Sequence, residues 1–125
     1  MERPKLEKAI NESLATYEGL RKLGFLPDEI FLEGGIAFDT GLHCVYIRLQ
    51  SQGKRFTFNC GPIEQDLSQE EVCARWKDRA EWWNKVATNA EHQAIYRKSF
   101  IRRNRFLFVT RLLAKGIEIR RLPGA

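Results

Sequence analysis

The apolar residues change their spacing along the chain. Over residues 4–23 they recur at every third or fourth position, which is typical of an amphipathic helix. Pro4 suits the first helical position, and Gly24 followed by Phe25 is typical of a helix end. We therefore predict an N-terminal helix with one apolar stripe, made of Leu6, Ile10, Leu14, Tyr17 and Leu20.

Residues 29–60 alternate with a period of two, which is typical of strands half-buried in a sheet. The alternation is clearest at 45–49 and 56–60, on either side of a turn centred on Gln52 and Gly53. That turn would pair 49 with 56, 47 with 58 and 45 with 60, and each pair is apolar on both sides. A weaker alternation before it, interrupted at Gly34 and Gly35, extends the prediction to an antiparallel meander of three to four strands.

The helical period returns after Pro62. Ser68 and Glu71 form a capping box, so a helix should begin there. A second capping box at residues 88–91 predicts another helix, over about 89–115, whose apolar residues lie on several sides. Ile117 and Ile119 could then add a closing strand. The stripe predicted to be buried in the first of these helices consists of Val72, Trp76, Ala80, Trp83 and Val86 or Ala87.

These elements together predict one α+β domain over residues 1–125. It would have an N-terminal helix, the meander, two C-terminal helices and the closing strand. The sequence contains neither an apolar run of the ~20 residues that span a bilayer nor an apolar N-terminal segment typical of a signal peptide. Its three cysteines are widely spaced and odd in number, which is typical of reduced thiols. We predict a cytoplasmic protein without a membrane partner.

Charge is divided unevenly along the chain. Residues 91–125 hold nine Lys and Arg against two acids, whereas the first ninety residues hold 12 basic and 14 acidic residues. Clustered cations attract polyanions, so we predict that this region contacts phosphates. On one helix, Lys98, Arg102 and Arg105 would share a narrow face. The predicted nucleic-acid contacts are Arg97, Lys98, Arg102, Arg103, Arg105, Arg120 and Arg121. As an alternative, several of these cations could pair with acids on or before the preceding helix, namely Asp66, Glu70, Glu71, Asp78 and Glu81.

A second hypothesis rests on surplus apolar residues. Trp82 lies off the predicted buried stripe, and tryptophan is enriched at binding hot spots and stacks on unpaired bases. Phe100 and Leu107 lie on a further apolar side of the last helix. These three residues predict a protein interface, so the chain could instead be an inhibitor, an adaptor or a homodimer. The C-terminal cations themselves could also bind an acidic protein surface in place of nucleic acid.

The signals for catalysis and for metal binding are weaker. In the predicted register His43 and Cys60 share a sheet face and could form a nucleophile pair, but Cys60 also fits as a core residue opposite Val45. The cysteines and histidines lack the spacing of metal ligands, and the glycines lack the context of a phosphate loop. We therefore predict a non-enzymatic binding protein without metal or cofactor. Its first candidate function is nucleic-acid association through phosphate-directed, largely sequence-independent contacts.

Overall fold

The computed structural model of the chain describes residues 2–14, 17–25, 27–64 and 66–121. It has the predicted α+β class, with helices packed on one face of a four-stranded sheet. The elements in chain order are α1 (Arg3–Ser13), α2 (Tyr17–Lys22), β1 (Glu29–Ile36), β2 (His43–Ser51), β3 (Lys54–Pro62), α3 (Gln69–Thr88), α4 (Ala90–Ile95), α5 (Ser99–Ala114) and β4 (Ile119–Arg121).

The sheet is mixed, with the strand order β3-β2-β1-β4. The first three strands form the predicted antiparallel meander, and the predicted closing strand is present as β4. However, β4 runs parallel to β1, so the sheet is not a meander throughout. The reason is the helical segment between β3 and β4, which returns the chain to the opposite edge of the sheet in the direction of β1.

Two of the three predicted cross-strand pairs are confirmed, Leu49 with Phe56 and Ile47 with Phe58. The predicted pairing of 45 with 60 is wrong because β3 contains a bulge. Between the pairs at 46/59 and 44/62, Val45 alone lies opposite both Cys60 and Gly61. The φ of +94° at Gly61 is in the region that favours glycine, which explains why the extra residue is accommodated there.

The interruption predicted at Gly34 and Gly35 is also wrong, because both glycines are buried inside β1. Gly34 is paired with Val45 of β2 on one side and with Arg121 of β4 on the other. Pairing on both sides continues the strand through residues that would otherwise favour a turn. The tip of the β1–β2 hairpin instead carries three exposed apolar side chains, at Ile36, Phe38 and Leu42.

The core lies between the inner face of the sheet and the helices. Trp76 of α3 is fully buried in it, together with Ile10 and Leu14 near α1 and Val109 of α5. The predicted N-terminal helix is present as two helices, α1 and α2, and the side chain of Tyr17 lies outside the described part. The buried stripe of α3 is confirmed except at Trp83, which is only half-buried.

The single helix predicted over 89–115 is wrong. Asn89 caps α4 as its side chain accepts hydrogen bonds from the backbone of residues 91 and 92, but α4 ends at Ile95 and α5 begins at Ser99. The break allows Ser99 and Asn104 to become buried, and the Asn104 side chain donates to the Glu12 carbonyl at 2.8 Å. Packing of α5 against α1 and α3 therefore overrides a helical pattern that is continuous in the sequence.

Candidate functional site

An open cleft of about 560 Å³ lies where α1, β3 and α5 meet. Four cationic side chains and one acidic side chain line it, so its walls are predominantly positive. Asn11 and Thr57 add polar groups, and Phe58 and Ile101 add apolar surface. The cations are Lys8, Lys98, Arg102 and Arg105, and the acid is Glu7. We call this site the basic cleft.

The basic cleft contains the three residues that the helical spacing placed on one face, Lys98, Arg102 and Arg105. Lys98 directly precedes α5, and its carbonyl accepts the backbone N–H of residues 101 and 102, which fixes it beside the first helical turn. Lys8 and Asn11 were not predicted as site residues from the sequence. Their own segment carries no unusual charge pattern, and only the packing of α1 against α5 brings them to the site.

Arg105 is the structural cation of the basic cleft. Its Nε donates to Asn11 Oδ1 at 2.8 Å, and its Nη1 donates to the Asn59 carbonyl at 2.7 Å. Its guanidinium also lies 5.6 Å from the centre of the Phe58 ring. Burial, and to a lesser extent the charge of Arg102, lowers the pKa of Arg105, although a guanidinium stays protonated at neutral pH. Arg105 thus ties together the three walls of the cleft.

Lys98 and Arg102 are exposed and available to a ligand. Arg102 is held in place by Trp83, because its guanidinium carbon lies 4.9 Å from the centre of that ring. Within the described part of the chain, the ion pairs found are those of Arg48 with Glu33, Arg75 with Glu64 and Arg120 with Glu29. None of these pairs joins a cation of α5 to an acid on or before α3. The predicted alternative, in which those acids neutralise the C-terminal cations, is therefore not observed among these residues.

Three further predicted contacts, Arg97, Arg103 and Arg120, do not line the basic cleft. Arg97 is exposed at the break before α5, and Arg103 is half-buried with its Nε 3.3 Å from Asn104 Oδ1. Arg120 lies on the outer face of the sheet, where it pairs with Glu29 at 3.0 Å and covers the Phe31 ring at 4.4 Å. The side chain of Arg121 lies outside the described part. Of the six predicted cations whose side chains the structure describes, three line the basic cleft and three do not.

Aromatic rings adjoin the basic cleft through Arg102. Trp83 contacts Trp82 edge-on at 4.7 Å between ring centres and Tyr96 edge-on at 5.7 Å, and it stacks on Phe106 at 6.5 Å. We call these four residues the aromatic cluster. Trp82 and Tyr96 are the accessible members, with 50% and 42% of their surface exposed. Tyr96 was not predicted as a partner of Trp82 and Trp83, because these contacts depend on how α4 packs against α3 and not on spacing within one helix.

The predicted protein-interface residues differ in exposure. Trp82 and Phe100 are exposed, whereas Leu107 is half-buried. Ile95, which was not among the predicted interface residues, is 71% exposed at the end of α4. On α4 and α5, the exposed large apolar side chains therefore lie near the break between the two helices and not along the length of α5.

Cys60 lines a smaller recess of about 220 Å³ that shares Arg102 and Arg105 with the basic cleft. Burial raises the pKa of the Cys60 thiol to about 12, so the thiol is protonated at neutral pH. Such a group is a poor nucleophile, which argues against the His43–Cys60 pair. In the described residues, no three or more His, Cys, Asp and Glu side chains are grouped closely enough to hold a metal ion.

The described helices include none with the length and apolar character needed to cross a membrane. Comparison of the chain with protein-family models, with curated proteins and with solved structures finds no match.

Proposed function

We propose that this chain is a small, non-enzymatic, cytoplasmic protein that binds nucleic acid through phosphate contacts in the basic cleft. The observation that supports this proposal is the convergence of four cations, from α1 and from the start of α5, on one open cleft. Lys98 and Arg102 are exposed there, and no acidic group of the described residues lies within 4.0 Å of either.

The chemistry of the cleft suits phosphodiesters. A guanidinium matches two phosphate oxygens at once, and a lysine ammonium supplies a mobile point charge. Arg102 is already oriented by Trp83, which lowers the entropy lost when it binds an anion. Contacts to the phosphate backbone position a nucleic acid without reading its sequence, so we expect weak sequence preference.

The test is a salt titration of binding to fluorescein-labelled DNA and RNA, single- and double-stranded, measured by fluorescence polarisation. The cleft variant carries Lys8→Gln, Lys98→Gln and Arg102→Gln, while Arg105 is kept because it holds the fold. The control variant carries Arg21→Gln, Lys22→Gln and Lys77→Gln, which removes the same charge from exposed positions that do not line the cleft.

Each phosphate contact contributes about 0.7–0.9 to the slope of log affinity against log salt. We therefore expect the slope of the cleft variant to fall by about two to three, and the slope of the control variant to stay close to that of the wild type. Equal slopes in the wild type and the cleft variant would exclude the basic cleft as the phosphate site.

The exposed apolar side chains favour a second candidate, a protein-interaction module or homodimer. Phe100 and Ile95 are accessible close to each other in the sequence, on either side of the α4–α5 break. If this candidate is correct, sedimentation velocity should detect a dimer that Phe100→Ser dissociates. Phe38→Ser, at the tip of the β1–β2 hairpin, is the matched control. A monomer at all concentrations would exclude the homodimer.

A further inference from the structure

The basic cleft and the aromatic cluster share one side chain. Arg102 lines the cleft, and its guanidinium carbon lies 4.9 Å from the centre of the Trp83 ring. A phosphate bound to Arg102 would therefore lie beside the aromatic cluster, in which the ring centres of Trp82 and Tyr96 are 4.7 and 5.7 Å from that of Trp83. Phosphates follow one another about every 3.4 Å along a strand, so a segment of a few nucleotides can place a phosphate on Arg102 and a base on these rings.

The aromatic cluster is both accessible and fixed in position. Trp82 and Tyr96 remain about half exposed, while ring contacts to Trp83 hold each of them, edge-on at 4.7 and 5.7 Å. Trp82 and Tyr96 also touch each other, with ring centres 6.2 Å apart. Rigid aromatic side chains lose little conformational entropy when they bind, and large accessible rings beside cations are typical of surfaces that bind unpaired bases.

Duplex nucleic acid cannot use such rings, because its bases are stacked inside the helix. An unpaired base offers a free face to an aromatic side chain, and stacking of this kind tolerates all four bases. Cations alone would bind duplex and single strands through the same phosphates. The position of the aromatic cluster at the edge of the basic cleft therefore favours single strands over duplexes.

We infer that the ligand is single-stranded nucleic acid, with its phosphates against Lys8, Lys98 and Arg102 and its bases stacked on Trp82 and Tyr96. This inference rests on the proposed function and adds the strand type and the base-contacting residues. It also assigns the exposure of Trp82 to base stacking rather than to a protein interface.

The experiment compares three labelled ligands of about 12 nucleotides, which is within the range of single-strand sites. They are a polythymidine strand, a duplex and an abasic strand that has the same phosphates but lacks bases. We expect the wild type to bind polythymidine about tenfold to a hundredfold more tightly than the abasic strand, and its tryptophan fluorescence to be quenched on binding.

Two variants separate stacking from charge. Trp82→Ala with Tyr96→Ala should remove most of the preference for polythymidine over the abasic strand and leave the salt slope unchanged. Tyr96→Phe keeps the ring and should keep the preference, as should Phe38→Ala, which removes an exposed ring far along the chain from the cluster. Thermal unfolding of each variant checks that the fold is retained.

The outcomes distinguish this inference from the proposed function. Equal binding of all three ligands by the wild type, with a salt slope that depends on the cleft residues, would overturn the inference and leave the proposed function in place. Failure to bind any of them would overturn both. An unchanged ligand preference in the double alanine variant, together with loss of a dimer, would reassign the aromatic cluster to a protein interface.

Discussion

The guanidinium of Arg105 connects α5 to the free edge of the sheet, because its Nη1 donates to the Asn59 carbonyl at 2.7 Å. Two other arginines make the same kind of contact along β3. Arg3 donates to the Arg55 carbonyl, and Arg79 donates to the Pro62 carbonyl at 2.7 Å. An edge strand with free carbonyls can pair with another chain, and these side chains occupy part of that edge. Thr57 lies on β3 between Arg55 and Asn59, and it lines the basic cleft.

The first prediction concerns the stability contributed by Arg105. Arg105→Met should lower the free energy of unfolding by about 1–3 kcal/mol, because the Asn59 carbonyl and the Asn11 side chain lose a charged donor. Urea unfolding measures this change. Arg103→Met is the control, since the hydrogen bond of Arg103 is to its neighbour Asn104. An equal loss in the two variants would contradict the role given to Arg105.

The second prediction concerns Trp76, which is fully buried in the core. Trp76→Ala should cost about 3–5 kcal/mol, because it leaves a cavity under α3. The indole Nε1 has no hydrogen-bond partner among the described residues. Trp76→Phe therefore removes a buried donor without breaking a hydrogen bond. We expect the phenylalanine variant to lose less than half as much stability. A loss as large as that of the alanine variant would indicate that the indole N–H contributes to stability.

The third prediction concerns alkaline pH. Burial raises the pKa of Cys60 from an ordinary value of 9.0 to about 12, so the folded protein retains a proton that the unfolded chain releases. This contribution to stability is fully present below pH 9 and is lost between about pH 9 and 12, by up to about 1.4 kcal/mol for each pH unit. Cys60→Ala should therefore show a shallower fall in unfolding free energy than the wild type over that range.

Cys73→Ala is the control for this pH effect, because Cys73 is only partly buried. Its pH profile should follow that of the wild type. Parallel profiles for the wild type and Cys60→Ala above pH 9 would show that another group causes the alkaline loss of stability.

The fourth prediction concerns the β2–β3 turn. Gln52 and Gly53 have φ values of +51° and +76°, a conformation that only the glycine adopts without strain. Gln52→Asn should raise the free energy of unfolding by about 0.5–1 kcal/mol, because asparagine tolerates the left-handed region better. Gly53→Ala should lower it by about 1–2 kcal/mol from backbone strain alone, since nothing lies within 4 Å of the added methyl group. Thermal unfolding measures both variants, and a destabilised Gln52→Asn protein would contradict the prediction.

Local patterns predicted the elements that depend on neighbours in the sequence. The alternation around Gln52 and Gly53 predicted the register at 49/56 and 47/58, because a two-residue turn fixes which residues lie opposite each other. The capping box at Ser68 and Glu71 predicted the start of α3, and both of its hydrogen bonds are present. The helical spacing of Lys98, Arg102 and Arg105 predicted that they would share a face, and all three line the basic cleft.

Patterns within short stretches of the chain were enough to predict the α+β class, the β2–β3 hairpin and the basic character of α5. How these elements are joined is visible only in the folded chain: the bulge at Gly61, the parallel β4, the break before Ser99, and the addition of Lys8 and Asn11 to the cleft. The difference lies in the range of the interactions. Turns, caps and amphipathic stripes arise from residues a few positions apart, whereas a cleft is formed by side chains more than ninety positions apart that meet only when α1 packs on α5.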